Sequence, residues 1–329
     1  MSARSNYRSK IAIYDLATRS YRVVHEVDGV MEAPNWCPDG QSLLLNQNGG
    51  LYRLALGNAS NGSRLLPFLE PARFWEVPDS GTRELLHIAS RERLPNWCNN
   101  DHGISVDGRR MALSIEQRPT PSSEGSTSRV CVARSDGSRM RIVTPRAPSY
   151  FHGWSPDGAG LVFVGERGDG KYEIYRISAD DGDEVRLTSA GGDDDGPEYA
   201  PNGNWIYFNS NRTGRWEIWR IPNSGGGAND TLAQQVTHDE PENWFAHPSP
   251  DGKWLVFLAF PPGTLGHNCK MDGVMLRMMR LPDELLESSE VELLTTFYGG
   301  QGTINVNSWS PDSKQFAFVI YEPELPEVP

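Results

Sequence analysis

FHGWSPDGAGLVF, residues 151–163, contains the unit that decides the fold. Ser155-Pro156-Asp157-Gly158 reads as a tight turn. Proline presets φ, the aspartate carboxylate accepts hydrogen bonds from its own backbone, and glycine takes the positive φ that reverses the chain. Leu161-Val162-Phe163-Val164 follows as an apolar strand. The same turn returns as WCPDG (36–40), SVDG (105–108), APNG (200–203), SPDG (249–252) and WSPDS (309–313). Through the middle of the chain the repeats stand roughly 45–50 residues apart, the period of a β-propeller blade. These aspartates are assigned to turn geometry and to no chemistry.

Each turn leads into the same series of strands. Ser42–Leu45, Leu161–Val164, Trp205–Phe208 and Trp254–Phe257 are apolar strands, and Glu173–Arg176 and Glu217–Arg220 are second strands beyond a polar hairpin. Short segments ending in Leu187-Thr188 and Val236-Thr237 close two of the units. KIAIYDL and YRVVHEV precede the first turn, and QFAFVIY follows the last. Pairing these ends closes a ring and hides edge strands that an open sheet would expose. The expectation is an all-β, six-bladed β-propeller of four-stranded antiparallel blades, a single domain over residues 1–329 with blade turns near 39, 107, 157, 202, 251 and 312.

Composition agrees: 33 glycines and 24 prolines are spread along the chain, as many short strands and turns require. The formal charge of −12 repels phosphate backbones and anionic headgroups, so neither nucleic acid nor membrane insertion is expected. No apolar run reaches the ~20 residues that span a bilayer. MSARSNYRSKIAIYDL carries no signal-peptide core, which reads as cytoplasmic; a chain trimmed of its signal peptide would read the same and be periplasmic. Cys37, Cys98, Cys131 and Cys269 form no CxxC pair and read as free thiols.

Repeats of the form PxWSPDGxxIxF…RxGxxxIY…LT, closest over 150–260, resemble the PD40 (WD40-like) repeats of TolB, a six-bladed propeller. TolB itself carries a small α/β domain ahead of its propeller, and no such domain is expected here. A weaker resemblance is to the oligogalacturonate lyases, propellers that hold a divalent metal in the central channel with histidines and a glutamine. His247 in WFAHPSPDG and Gln301 in GGQGTINVNSW look like the matching positions. Where that family places two histidines shortly after its glutamine, this chain has Ile304, Asn305, Val306 and Asn307. That resemblance implies a divalent metal near His247 and Gln301; should manganese, calcium or zinc bind, His102, His152 and His247 are the expected ligands, with Gln301 assisting.

Four or five residues before the Asp or Asn of each turn stand Asn35, His102, His152, Glu198, His247 and Asn307, where the innermost strand begins beside the channel. NWCNNDHG (96–103) adds Asn100, and GGQGTINVN adds Gln301 and Asn305. His152 or His102 would serve as general acid or base with Glu198, and Asn35, Asn100, Gln301, Asn305 and Asn307 would bind a ligand. His25, His87, His238 and His267 read as solvated or packed in outer strands and loops, and Asp193–Asp195 as a solvated acidic loop. Arg167 and Arg212 occupy equivalent hairpins and read as structural. Two inserts, roughly 58–98 and 259–290, interrupt the rhythm, and LPDELLES in the second reads as a short helix.

Two functional readings stand. One is a His-lined channel binding a small polar ligand, a saccharide foremost, with carbohydrate-active lyase or hydrolase chemistry if it is an enzyme. The other is a non-catalytic interaction module that offers a propeller face to a protein partner.

Overall fold

The computed structural model of the chain describes residues 7–57, 64–69, 96–117, 127–281 and 290–324. They form six antiparallel sheets arranged as blades. Blade 2 is β3 (Met31–Trp36), β4 (Ser42–Gln47), β5 (Gly50–Ala55) and β6 (Arg64–Leu69). Blade 3 is β7 (Asn96–Ile104), β8 (Arg110–Gln117), β9 (Arg129–Arg134) and β10 (Arg141–Ile142). Blade 4 is β11 (Ser149–Trp154), β12 (Gly160–Glu166), β13 (Tyr172–Ser178) and β14 (Val185–Arg186). Blade 5 is β15 (Asp194–Tyr199), β16 (Trp205–Ser210), β17 (Glu217–Pro222) and β18 (Gln234–Gln235). Blade 6 is β19 (Glu242–Pro248), β20 (Trp254–Phe260), β21 (Met271–Arg280) and β22 (Val291–Gly299).

Blade 1 joins the two ends of the chain. β1 (Tyr7–Asp15) lies between β2 (Ser20–Asp28) and β23 (Gln315–Pro323). The β1–β23 register runs unbroken from Tyr7 opposite Pro323 to Asp15 opposite Gln315. The innermost position of this blade is taken by residues 304–310, held to β23 by a single bridge between Trp309 and Phe316. Ring closure by the terminal strands is therefore as the sequence predicts. The short blade-closing segments shrink to two-residue strands in blades 4 and 5.

The turns work as their residues require. Asp157 Oδ1 accepts from Ser155 Oγ at 2.5 Å and from Ala159 N at 2.9 Å, with Gly158 at φ 69°. Asp39, Asp107, Asn202, Asp251 and Asp312 each accept a backbone N–H two residues on in the same way.

Alternation along each strand builds the core between blades. In β12, Leu161 and Phe163 pack with Val130, Val132 and Ala112 of blade 3. Val162 and Val164, on the opposite face, pack with Ile206 and Phe208 of blade 5. Both faces of these strands are buried, so they read as continuous apolar runs. Each fully buried Phe or Leu contributes about 1.5–3 kcal/mol.

The arginines that repeat in the hairpins are structural. Arg167 bonds Glu184 at 2.8 Å and lies over the Tyr175 ring; Arg212 bonds Asp194 at 2.9 Å and lies over the Trp219 ring. Of the inserts, the first contributes β6 and the start of β7, and much of the second is the extended β20–β21 hairpin. The LPDELLES segment beyond Leu281, and His87, lie outside the described residues. Among the described residues no helix is long and apolar enough to cross a membrane.

Candidate functional site: the polar channel and its mouth

In blades 2 to 6 the innermost strand carries a β-bulge, and the bulge decides where the polar side chains go. In β11, Phe151 pairs with Phe163 and Gly153 with Val162, so His152 is the extra residue with no partner across the ladder. The bulge re-aims its imidazole, and Nε2 lies 3.2 Å from Asp195 Oδ1 of blade 5. In β15 the equivalent bulge contains Gly196 at φ 59°. A Cβ there would meet Asn209 Oδ1 at 2.6 Å, and that oxygen already accepts from Phe245 N at 3.1 Å. Glycine is the residue that both the φ and the space allow.

The ladders also show that the six aligned residues occupy two different registers. Asn35, Glu198 and His247 stand opposite Leu44, Tyr207 and Val256. His102 stands opposite Leu113, with Gly103 taking the place that Asn35 holds in blade 2. A slip of one residue moves a side chain to the other face of a strand, so the residues do not form one ring of equivalent groups.

Glu198 and His247 anchor the deeper level of the channel. His247 Nδ1 lies 2.5 Å from Glu198 Oε2, and its Nε2 lies 2.6 Å from the Ile304 carbonyl, so both ring nitrogens face acceptors. Asn307 Nδ2 donates to Glu198 Oε1, and Asn307 Oδ1 accepts from Trp309 N at 3.1 Å. Asn35 Nδ2 donates to the Asn307 carbonyl at 2.6 Å while its Oδ1 accepts from Ile104 N at 3.2 Å. Five blades are tied together by this one network. His102 stands apart: it is fully buried with Nε2 3.3 Å from the Leu44 carbonyl. Burial pushes its pKa down to about 4, so the ring is neutral near pH 7.

Nearer the face on which the innermost strands begin lies a second level. Asn305 Nδ2 donates to Asp101 Oδ1 at 2.6 Å across the channel, and Asn99 Nδ2 donates to Asp101 Oδ2 at 2.7 Å. Asn100 is buried beside them, and Gln301 opens a short 3-10 turn over Gln301–Thr303 at the same mouth. Asn305 Oδ1 is buried without a partner among the described residues.

The charges at this level are coupled. Burial by itself would lower the His152 pKa, but the Asp195 hydrogen bond and the Asp101, Asp195 and Glu198 charges outweigh it and raise it. Burial would likewise raise Asp195, yet His152 and His267 hold it below the ordinary carboxylate range. Asp101 is raised by its burial, against the pull of His152 and Asn305.

Two expectations are corrected at the mouth. His267 is not an outer-loop residue. Its ring lies 4.2 Å from the Trp244 ring and 5.2 Å from Phe245, with Nε2 3.8 Å from Asp195 Oδ2. Nor are the acidic residues of 193–195 merely solvated: Asp194 is 2 % exposed and paired with Arg212, and Asp195 is paired with His152. Sequence reasoning missed His267 because its position depends on how a long hairpin folds back; the one local signal was its glycine-flanked loop.

His102, His152, His247 and Gln301 do not present a common set of free donors to a metal. Both nitrogens of His247 are engaged, His152 Nε2 is committed to Asp195, and His102 Nε2 is directed to the Leu44 carbonyl, with its Nδ1 buried and without a partner among the described residues. Among the described residues no three His, Cys, Asp or Glu side chains are grouped to hold a metal ion.

The chain matches the family model described as the PD40 TolB beta propeller domain over residues 122–271. It is 38% identical over 316 residues to Atu1656, an uncharacterized protein of Agrobacterium fabrum, covering 96% of this chain and 93% of that protein. The solved structure of a candidate TolB from Agrobacterium tumefaciens is 37% identical with a TM-score of 0.76, over 96% of this chain and 99% of that one. An oligogalacturonate lyase in complex with manganese is similar in fold alone, at 13% identity and a TM-score of 0.53, over 97% of this chain and 83% of that one. With its velcro-closed ring of six blades and a full-length relative of this likeness, the chain belongs to the TolB-like β-propeller family.

Proposed function

We propose that this chain is a binding propeller without chemistry of its own, and that its contact site is the channel mouth around Asp101, His152, Asp195, His267 and Asn305. The observation that carries the reading is the engagement of Glu198 and His247. Glu198, the acid expected to assist His152 or His102, is spent instead with His247 and Asn307 on holding blades 5, 6 and 1 together. A general base needs a free site within reach of a substrate proton, and neither nitrogen of His247 offers one.

The mouth favours a neutral or cationic polar group over a uronate. Glu32, Asp101, Asp193 and Asp195 lie on this face, and Lys270 is paired with Glu32 at 3.3 Å. A carboxylate-bearing sugar would meet like charge there. The saccharide reading is kept for neutral sugars, which the partnerless Asn305 Oδ1 favours as an acceptor position.

Thermal shift with neutral oligosaccharides, short lysine-bearing peptides and oligogalacturonate tests this. A ligand at ~100 times its Kd adds about 2.7 kcal/mol to stability. The expected result is a shift with a neutral or cationic probe, lost in Asp195→Asn, and no cleavage of oligogalacturonate. Cleavage of oligogalacturonate, or an absence of any shift across the panel, contradicts it.

A further inference from the structure

The loop between β20 and β21, residues 261–270, crosses the mouth rather than leaving it open. It is tied down chiefly by side chains. Gly263 N donates to Glu242 Oε1 at 3.2 Å, and Leu265 is 98% exposed. His267 then turns inward onto Trp244, Phe245 and Asp195. At the far end Lys270 Nζ lies 3.3 Å from Glu32 Oε1 and 4.9 Å from the centre of the Tyr321 ring. Tyr298 also donates its hydroxyl to the Lys270 carbonyl at 3.1 Å. Gly263, Gly266 and Gly273 all take positive φ, which places permissive residues within the loop and just past its end.

We propose that residues 261–270 form a strap closed across the channel mouth, pinned by His267 over the His152–Asp195 pair and by Lys270 on Glu32 and Tyr321, and that lifting it admits the ligand. The inference rests on the mouth being the binding site. The physical case is a balance of contacts. Besides packing its ring on Trp244 and Phe245, His267 makes a single polar approach, 3.8 Å to a carboxylate that His152 already neutralises, and its Nδ1 has no partner among the described residues. The Lys270–Glu32 pair is partly solvated, and such pairs are weak individually. A segment held by a few weak side-chain contacts opens more readily than the ladders around it. Lifting it uncovers Asp195, His152 and the edge of Phe245 together, while the deeper network of Glu198, His247 and Asn307 stays closed.

Hydrogen exchange on the full chain tests the strap without a ligand. In the double variant His267→Ala/Lys270→Gln, amides in 96–101, 193–198 and 301–306 are expected to exchange roughly tenfold faster, with each single variant intermediate. The turns at 105–108 and 154–158 on the opposite face keep their rates. Unchanged rates at the mouth overturn the proposal, as does acceleration spread evenly over all blades, which makes the segment part of the fold's stability. Should the mouth open selectively and the probes above still fail to bind, the strap stands and the binding reading falls.

Discussion

Glu198→Ala is expected to destabilise the protein by about 3–5 kcal/mol, the usual cost of removing one partner from a buried, hydrogen-bonded charged contact. The carboxylate is 7% exposed and both its oxygens are used, one by His247 and one by Asn307. Its loss leaves the buried His247 Nδ1 without an acceptor and Asn307 Nδ2 with only a 3.4 Å contact to the Pro248 carbonyl, and loosens the contacts of blade 5 with blades 6 and 1. Glu198→Gln should fall between, because its amide supplies one acceptor and sets a second donor against His247 or Asn307. Urea unfolding midpoints check both variants, and a double-mutant cycle with His247→Ala isolates the pair. Additive single effects would show that the contact is weak and the channel network incidental.

His102 carries the second large expectation, and it concerns pH. Its folded pKa is about 4 against an ordinary value of 6.5, so the folded state binds fewer protons than the unfolded state between these values. The associated stability is fully present above pH 6.5 and is lost as pH falls toward 4, amounting to about 3 kcal/mol. His152 works with the opposite sign. Its raised pKa gives stability that is complete below 6.5 and is lost as pH rises through the folded value. Subtracting the unfolding free energies of His102→Leu from those of the native chain at pH 7.5, 6, 5 and 4 isolates the His102 part. The difference should shrink steadily over that range; a flat difference would mean that the ring titrates normally in the folded protein.

The fold was legible because its information is local. Each turn of the SPDG kind prescribes its own geometry, and the alternation in LVFV or WIYF prescribes which residues face which neighbour. Ring closure was legible too, since KIAIYDL and QFAFVIY are strands left without partners at opposite ends of the chain. The site was only partly legible. Counting back from the turns found His152, Glu198 and His247, all of which reach the channel network, but it merged two registers. A bulge adds a residue without disturbing the apolar pattern on either side, so periodicity cannot reveal that His152 is the extra residue while Glu198 is paired. Nor can it reveal contacts that skip a blade, such as Asn305 on Asp101 or Asn307 on Glu198. His267 was unreadable for a related reason, since a loop's path over a rigid ring is set by a few side-chain contacts distant in sequence.

Calorimetric titration of manganese, calcium and zinc into chelator-treated protein tests the central claim most directly, that the channel is closed by its own polar network. With the nitrogens of His247 on Glu198 and Ile304, and with His152 on Asp195, the account predicts no stoichiometric heat for any of the three ions. One ion bound per chain, with binding abolished in His247→Ala or His152→Ala, would contradict it and return the channel to metal-assisted chemistry.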